Sequence, residues 1–329
     1  MAKRFSIKEL GPIKHVLGIQ VQQTTSGITI TQSAYITRTL KDINLLTCRP
    51  SHLPATGGDI TAATKCAGNN ELVDSTHYKH IIGKMMYAAV GTRPDIIFAT
   101  NFLARYAHEP TVHHLHMAKT LLRYLSVTSD HSLHYPATND QFKITAYSDA
   151  DWAGAHDSRS TSGILTMVNG TALTWYSKKQ STVAMSTAEA EYISAAECGL
   201  EIVWLRTICE DFGFKQQIPT SLLLDNKSAI QMATNASNHS RTKHIKLRYH
   251  KLRELIDEST LSITYIPSQD QLANIFTKAL PRDRLNSLKS AIGLLNSSQL
   301  PLEGEYQSTY TVQQAAAVPQ HKSKVPLQN

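Results

Sequence analysis

Three carboxylates stand where a chain could bring them to one point. Asp149 closes the run KITAYSD and is followed, after one small residue, by Asp151. Glu191 lies within STAEAEYISAAE, and Asp225 closes LLLD. Taken alone, Asp149 and Glu191 read more readily as solvated surface groups, while Asp225, at the mouth of an apolar strand, reads more readily as a site residue. Together they suit phosphodiester hydrolysis assisted by two metal ions ~3.5–4 Å apart. That chemistry needs hard oxygen ligands. Mg²⁺ takes one or two protein carboxylates per ion and completes its octahedron with water and substrate oxygens. Histidine or cysteine would have the wrong ligand softness.

The elements that would carry these groups can be read locally. Strand side chains alternate, so Ile144, Ala146 and Ser148 share one face while Thr145, Tyr147 and Asp149 share the other. Ser186 followed by Glu189 fits a capping box that starts a helix near Thr187. Glu191 then sits about one turn in, flanking the apolar stripe Ala188, Tyr192 and Ala195. The apolar run before Asp225 reads as a central strand buried on both faces, and Asp225-Asn226 begins the turn into the next helix.

Residues 142–295 read strand, strand, strand, long helix, strand, helix, helix, strand, helix, with strands at 142–148, 162–168, 172–177, 222–224 and 261–266. Upstream, residues 1–135 mix a strand at 28–32 with helices at 33–40, 78–90, 96–107 and 112–125. Thr92-Arg93-Pro94 ends the helix at 78–90, because proline disfavours helix in the residue before it. The polar stretch 126–141 reads as a linker, or as a hairpin edge around 132–135. The tail 296–329, with its Gln, Ser and Pro and a short Ala run, reads as disordered.

Composition sets the outer bounds. The chain has 329 residues and 41% hydrophobic content, enough for two cores. A formal charge of +7 favours an anionic partner, most simply nucleic acid. Cys48, Cys66, Cys198 and Cys209 form no CxxC pair and read as free intracellular thiols. The N-terminus has no signal-peptide run, and no stretch approaches the ~20 apolar residues of a membrane span. An intracellular, soluble protein with no membrane partner is expected.

Residues 241–253 hold six basic side chains and two histidines with no acid. On a helix, Lys243, Lys246, His250 and Arg253 fall in one arc, opposite Ile245, Tyr249, Leu252 and Ile256. The arc is either a solvated face or a row of phosphate contacts. Lys178 and Lys179, leaving a strand just before the Glu191 helix, are further phosphate contacts on this reading. His113, His114 and His116 read as structural or surface histidines, and Trp152 and Trp204 as packing residues.

The motifs YSDADWAG, RSTSG, TWYSKKQSTVAMSTAEAEY, LLLDNKSAI, RTKHIKLRYHKLRE and YIPSQDQLANIFTKAL, in that order, resemble the ribonuclease H domain of copia-type long-terminal-repeat retrotransposons. The resemblance covers essentially residues 142–290. Upstream, FSIKELG, VLGIQV, ITQSAYI, YKHIIGKMMYA, TRPDI and LLRYL resemble the end of that family's reverse-transcriptase region and the segment joining it to ribonuclease H.

The resemblance implies a ribonuclease-H-like α/β fold, a mixed five-stranded sheet with flanking helices, over 142–295. A smaller mixed α/β region derived from reverse transcriptase precedes it at 1–135. It implies Asp149, Glu191 and Asp225 as catalytic metal ligands and two Mg²⁺ ions, with Mn²⁺ able to substitute. The implied reaction cleaves the RNA strand of an RNA–DNA hybrid and leaves 3′-hydroxyl ends. It further implies an upstream Pol portion as partner and a cytoplasmic particle or the nucleus as location. Residues 141–295 alone are expected to bind hybrid, more weakly as salt rises.

Two departures qualify this. Where the family has a fourth acidic residue, this sequence has Asn274, read here as lying opposite the apolar face Leu272, Ile275, Phe276 and Ala279 of a final helix and as a weak metal contact. The paired-aspartate polymerase motif, which in the family lies upstream, is absent, so no polymerase activity is expected of these residues. An integrase-type transposase orders its carboxylates Asp, Asp, then a helical Glu; here the helical Glu lies between the two Asp. The alternative from a different class is a weakened or inactive relic that only binds nucleic acid.

Overall fold

A computed structural model describes residues 11–45, 47–65, 71–138, 142–152, 158–234 and 246–301. The first part begins with short strands β1 (His15–Val16), β2 (Ile19–Thr24) and β3 (Gly27–Thr31). Helices α1 (Ser33–Asp42), α2 (Gly57–Lys65) and α3 (Ser75–Gly91) follow. A 3-10 turn, Pro94–Ile96, leads into α4 (Ile97–Ala104), then α5 (Val112–Val127) and β4 (Ser132–Pro136). Gly27 is obligatory in the β2–β3 turn: its φ is +144°, and a Cβ there would stand 2.1 Å from the Tyr135 carbonyl.

The second part runs β5 (Ile144–Asp151), β6 (Thr161–Val168), β7 (Thr171–Lys179) and the 25-residue α6 (Thr187–Asp211). It continues with β8 (Thr220–Leu224), α7 (Lys227–Thr234), α8 (Lys246–Asp257) and β9 (Leu261–Tyr265). After two 3-10 turns, Ser268–Asp270 and Leu272–Phe276, come α9 (Arg282–Ala291) and β10 (Leu294–Leu295).

Strands β5 to β9 form one mixed sheet in the order β7-β6-β5-β8-β9. The first three are antiparallel neighbours, while β8 joins β5 and β9 joins β8 in parallel. This is the ribonuclease-H-like sheet that the resemblance implies. Helix α6 packs Ala190, Ile193 and Ile202 over Ala146, Ile164 and Leu222 of that sheet, with Leu252 and Leu255 of α8 closing the cluster. Strand β8 alternates buried and half-buried residues rather than being buried on both faces throughout.

The other sheet has the order β1-β2-β3-β4-β10. Its last strand belongs to the far end of the chain: Leu294 pairs with Leu133 and Leu295 with Ser132. Of the two readings of 126–141, the strand edge is the one found at Ser132–Pro136. One continuous core joins Met85, Phe102, Leu121 and Leu133 to Leu165, Met167, Phe276, Leu288 and Leu294. Polar bonds also cross: Trp175 Nε1 donates to the Ala89 carbonyl at 2.8 Å, and Asn101 Nδ2 to the Ser177 carbonyl at 2.8 Å. The two stretches are therefore packed as one body.

The same junction buries an ion pair. Arg93 bonds both oxygens of Asp95, at 2.9 and 2.7 Å, and Tyr124 Oη donates to Asp95 at 2.6 Å. From α9, Lys289 Nζ reaches within 3.3 Å of both Tyr124 Oη and His131 Nε2. The stretch TRPDI thus anchors the last helix to the first part of the chain.

Three further readings change. Residues 296–301, placed in the tail above, form a bonded turn in which Ser297 donates to Asp130 through its N–H and its hydroxyl. Trp152 and Trp204, read as packing residues, are 47% and 54% exposed. The Asn274 segment is a 3-10 turn rather than part of a final helix, and Asn274, read as lying opposite that helix's apolar face, is buried. Strands β1, β2 and β10 and helix α2 carry too little periodicity to be read in advance.

Candidate active site

Asp149, Glu191 and Asp225 converge. One oxygen from each lies within 4.8 Å of the others. Asp149 sits near the end of β5, Asp225 one residue beyond the end of β8, and Glu191 on the second turn of α6. The parallel β5–β8 pair sets the two aspartates side by side at the same sheet edge. Ser186 Oγ accepts from Glu189 N at 3.2 Å and fixes the start of α6 at Thr187. The return bond differs from a standard capping box: Glu189 accepts from Met185 N at 2.8 Å, one residue earlier.

Helix and strand are latched beside the carboxylates. Ser194, one turn beyond Glu191, donates to the Asp149 carbonyl at 3.0 Å and lies 2.8 Å from Ser148 Oγ. Gln271 Nε2 donates to the Ser148 carbonyl at 2.9 Å, and its Oε1 accepts from Ala273 N, starting the Leu272–Phe276 turn. That turn delivers Thr277, whose hydroxyl donates to Asp149 Oδ2 at 2.5 Å. Lys278 Nζ stands 3.8 Å from the same oxygen.

Charge in this setting is costly. Burial pushes the Asp149 carboxyl up; Lys278 and the Thr277 bond oppose it, while Asp225 and Asp151 add to it. Glu191 is raised well above the usual carboxylate range, first by burial and then by Asp149 and Asp225. Asp151 is raised by burial, against Lys278 and Lys179. The Glu191 carboxylate accepts from the Ala150 backbone N–H, yet its Oε2 is buried with no hydrogen-bond partner. A buried, mutually repelling, incompletely bonded set of oxygens fits a divalent cation well.

Asn274 lies at the edge of this arrangement. Its Nδ2 donates to the Ser268 carbonyl at 3.0 Å, and its Oδ1 is buried without a partner. Thr277 and Lys278 were not singled out from sequence. They lie three and four residues beyond Asn274, the spacing at which helical neighbours share a face, and that spacing was the available signal.

The remaining residues are dispersed. Lys178 is exposed and Lys179 half-buried at the end of β7, with Lys179 Nζ donating to the Arg159 carbonyl at 2.6 Å. His250 is exposed on α8, and Arg253 spends one guanidinium nitrogen on the Met232 carbonyl at 2.7 Å. Lys243 and the side chain of Lys246 lie outside the described residues. His114 is buried and bonds Thr111 and the Ala63 carbonyl, a structural role. Among the described cysteines, Cys48, Cys198 and Cys209 are free. No described helix is long and apolar enough to cross a membrane.

Comparison with known proteins fits this picture. The family described as reverse transcriptase (RNA-dependent DNA polymerase) matches residues 1–57. The chain is 34% identical over 300 residues to the retrovirus-related Pol polyprotein from transposon TNT 1-94 of Nicotiana tabacum, covering 89% of this chain and 22% of that one. It is 35% identical over 297 residues to the corresponding polyprotein from transposon RE2 of Arabidopsis thaliana, covering 90% of this chain and 20% of that one. The chain belongs to the copia-type retrotransposon Pol family. It spans about a fifth of the length of these Pol relatives. Among solved structures it is similar to LC11-RNase H1 crystallised with an RNA/DNA hybrid, at 14% identity and a TM-score of 0.32, covering 41% of this chain and 94% of that one. The fold assignment of this Pol segment rests on its own strand order and directions.

Proposed function

We propose that residues 142–295 form a ribonuclease H unit that cleaves the RNA strand of RNA–DNA hybrids, following a region, residues 1–135, derived from reverse transcriptase. One observation carries the reading: three carboxylates from two strand ends and a helix meet within 4.8 Å of one another, with Glu191 Oε2 buried and unpartnered. Asp149, Glu191 and Asp225 would hold two Mg²⁺ or Mn²⁺ ions. Bound there, the ions supply the activation of water and the stabilisation of the leaving 3′-oxygen.

The protein's own part is positioning. Thr277 orients Asp149, the Ala150 N–H orients Glu191, and Ser194 locks α6 to β5 so that the carboxylates keep their spacing. Lys178, Lys179, His250 and Arg253, with Lys243 and Lys246, would follow the substrate phosphates. The test is cleavage of a labelled hybrid by the full chain, with and without Mg²⁺ or Mn²⁺. A cytoplasmic particle or the nucleus is the location proposed for such a product, with the rest of Pol as partner.

Asn274 favours a second reading, a weakened enzyme or a relic that binds nucleic acid without cutting it. An aspartate there would add charge at the edge of the site but lose the donor that now reaches Ser268. Losses in the supporting shell of a metal site typically cost about 10–100-fold. Asn274→Asp is expected to lower the Mg²⁺ concentration needed for half-maximal cleavage by roughly that range. Full rescue of an inactive chain by this change would favour the relic.

A further inference from the structure

Lys278 carries more than its place in the sequence suggests. Its ammonium is 3.8 Å from Asp149 Oδ2, and its side chain is 45% exposed while that of Asp149 is 4% exposed. It stands at the mouth of the acidic set with room to move on a four-carbon stem. Its charge also bears on Asp151 and Glu191. One turn earlier, the position where the resemblance puts a fourth carboxylate holds a neutral amide committed to Ser268. At position 274 the chain therefore has a neutral amide in place of a carboxylate, while the Lys278 ammonium stands beside Asp149.

We infer that Lys278 is an internal counter-ion that competes with the divalent cation for Asp149 and, once displaced, turns to a substrate phosphate. This rests on the reading of the triad as a metal site. In the free protein the ammonium neutralises part of the ligand set, so a cation must displace it from Asp149. An ammonium freed at the mouth of the site is then a point-charge partner for phosphate oxygen. Lys278 is thus a positioning residue that exchanges one anion for another as the site fills.

The test is calorimetric titration of Mn²⁺ into the full chain, wild type against Lys278→Met, Lys278→Gln and Lys278→Arg. A second titration uses a hybrid with 2′-O-methylated RNA, which resists cleavage, at saturating Mn²⁺. A unit charge ~4 Å away across a solvated edge is worth about fivefold in affinity. Both neutral variants are expected to bind Mn²⁺ about fivefold more tightly and the hybrid several-fold more weakly, with Lys278→Arg close to wild type in both. Equal or weaker Mn²⁺ affinity in the neutral variants overturns the inference and leaves the metal site standing. Absence of Mn²⁺ binding in all four proteins overturns the metal-site reading and the inference together.

Discussion

Asp149 pairs with Gly163 across the antiparallel β5–β6 ladder, and Gly163 is where the Leu272–Phe276 turn comes down on the sheet. A Cβ at Gly163 would stand 2.7 Å from Thr277 Cγ2 and 2.9 Å from both the Ala273 carbonyl and Phe276 Cβ. Backbone must shift to admit it. Gly163→Ala is expected to cost about 1–3 kcal/mol of stability through overpacking. It would also move Thr277 and Lys278 away from Asp149, and displacements near 1 Å can cost on the order of 100-fold in rate. Denaturant unfolding and hybrid cleavage check this; a variant equal to wild type in both would show that the contact is slack.

Asp95 makes stability depend on acid. Burial pushes its carboxyl up, but the Arg93 charge and hydrogen bonds outweigh burial and hold it well below the usual range. A carboxylate lowered in the folded state stabilises fully above its unfolded value of about 4, and that contribution is lost as pH falls toward the folded value. Asp95→Asn should cost about 3–5 kcal/mol at neutral pH, because it leaves Arg93 buried and unpaired. The gap between wild type and variant should narrow below about pH 4. A gap that stays constant from pH 7 to pH 3, measured by thermal melting, would contradict the assignment.

Against the expectation that residues 141–295 alone would bind hybrid, residues 142–301 alone should not reproduce the native fold. They would lose the partners of Trp175 and Asn101 and the strand that pairs with β10, and would expose Leu165, Met167, Leu288 and Leu294. A broad, weakly cooperative melt and binding of a hydrophobic dye are expected. A melt as sharp and as high as that of the full chain would show that the shared core is dispensable.

The strands and helices around the triad were legible because their signals are local. KITAYSD alternates, STAEAEY carries its own cap, and LLLD is short, apolar and ends in a carboxylate. The triad followed from chemistry and the family motifs together. What was not legible depends on contacts between distant segments. Gly163 reads as an ordinary strand glycine until a turn more than a hundred residues later is laid against it. Gln271 is a surface-type residue that becomes fully buried because it bridges the Ser148 carbonyl to the next turn. Asn274 fits a helical wheel, but the chain there takes 3-10 geometry and folds its amide back to Ser268. The pairing of the chain's end with its beginning was hidden for the same reason: two residues, Leu294 and Leu295, are too short a strand to announce that they complete a sheet begun at His15.

Cleavage of a 5′-labelled RNA strand in an RNA–DNA hybrid tests the central claim most directly. The full chain is compared with Asp149→Asn, Glu191→Gln and Asp225→Asn, each with Mg²⁺, with Mn²⁺ and with chelator. The expected result is metal-dependent cutting of the RNA strand by wild type, leaving 3′-hydroxyl ends, and loss of cutting in all three variants while each still melts cooperatively. Cutting that persists in chelator, or in any folded variant of the triad, would contradict the account.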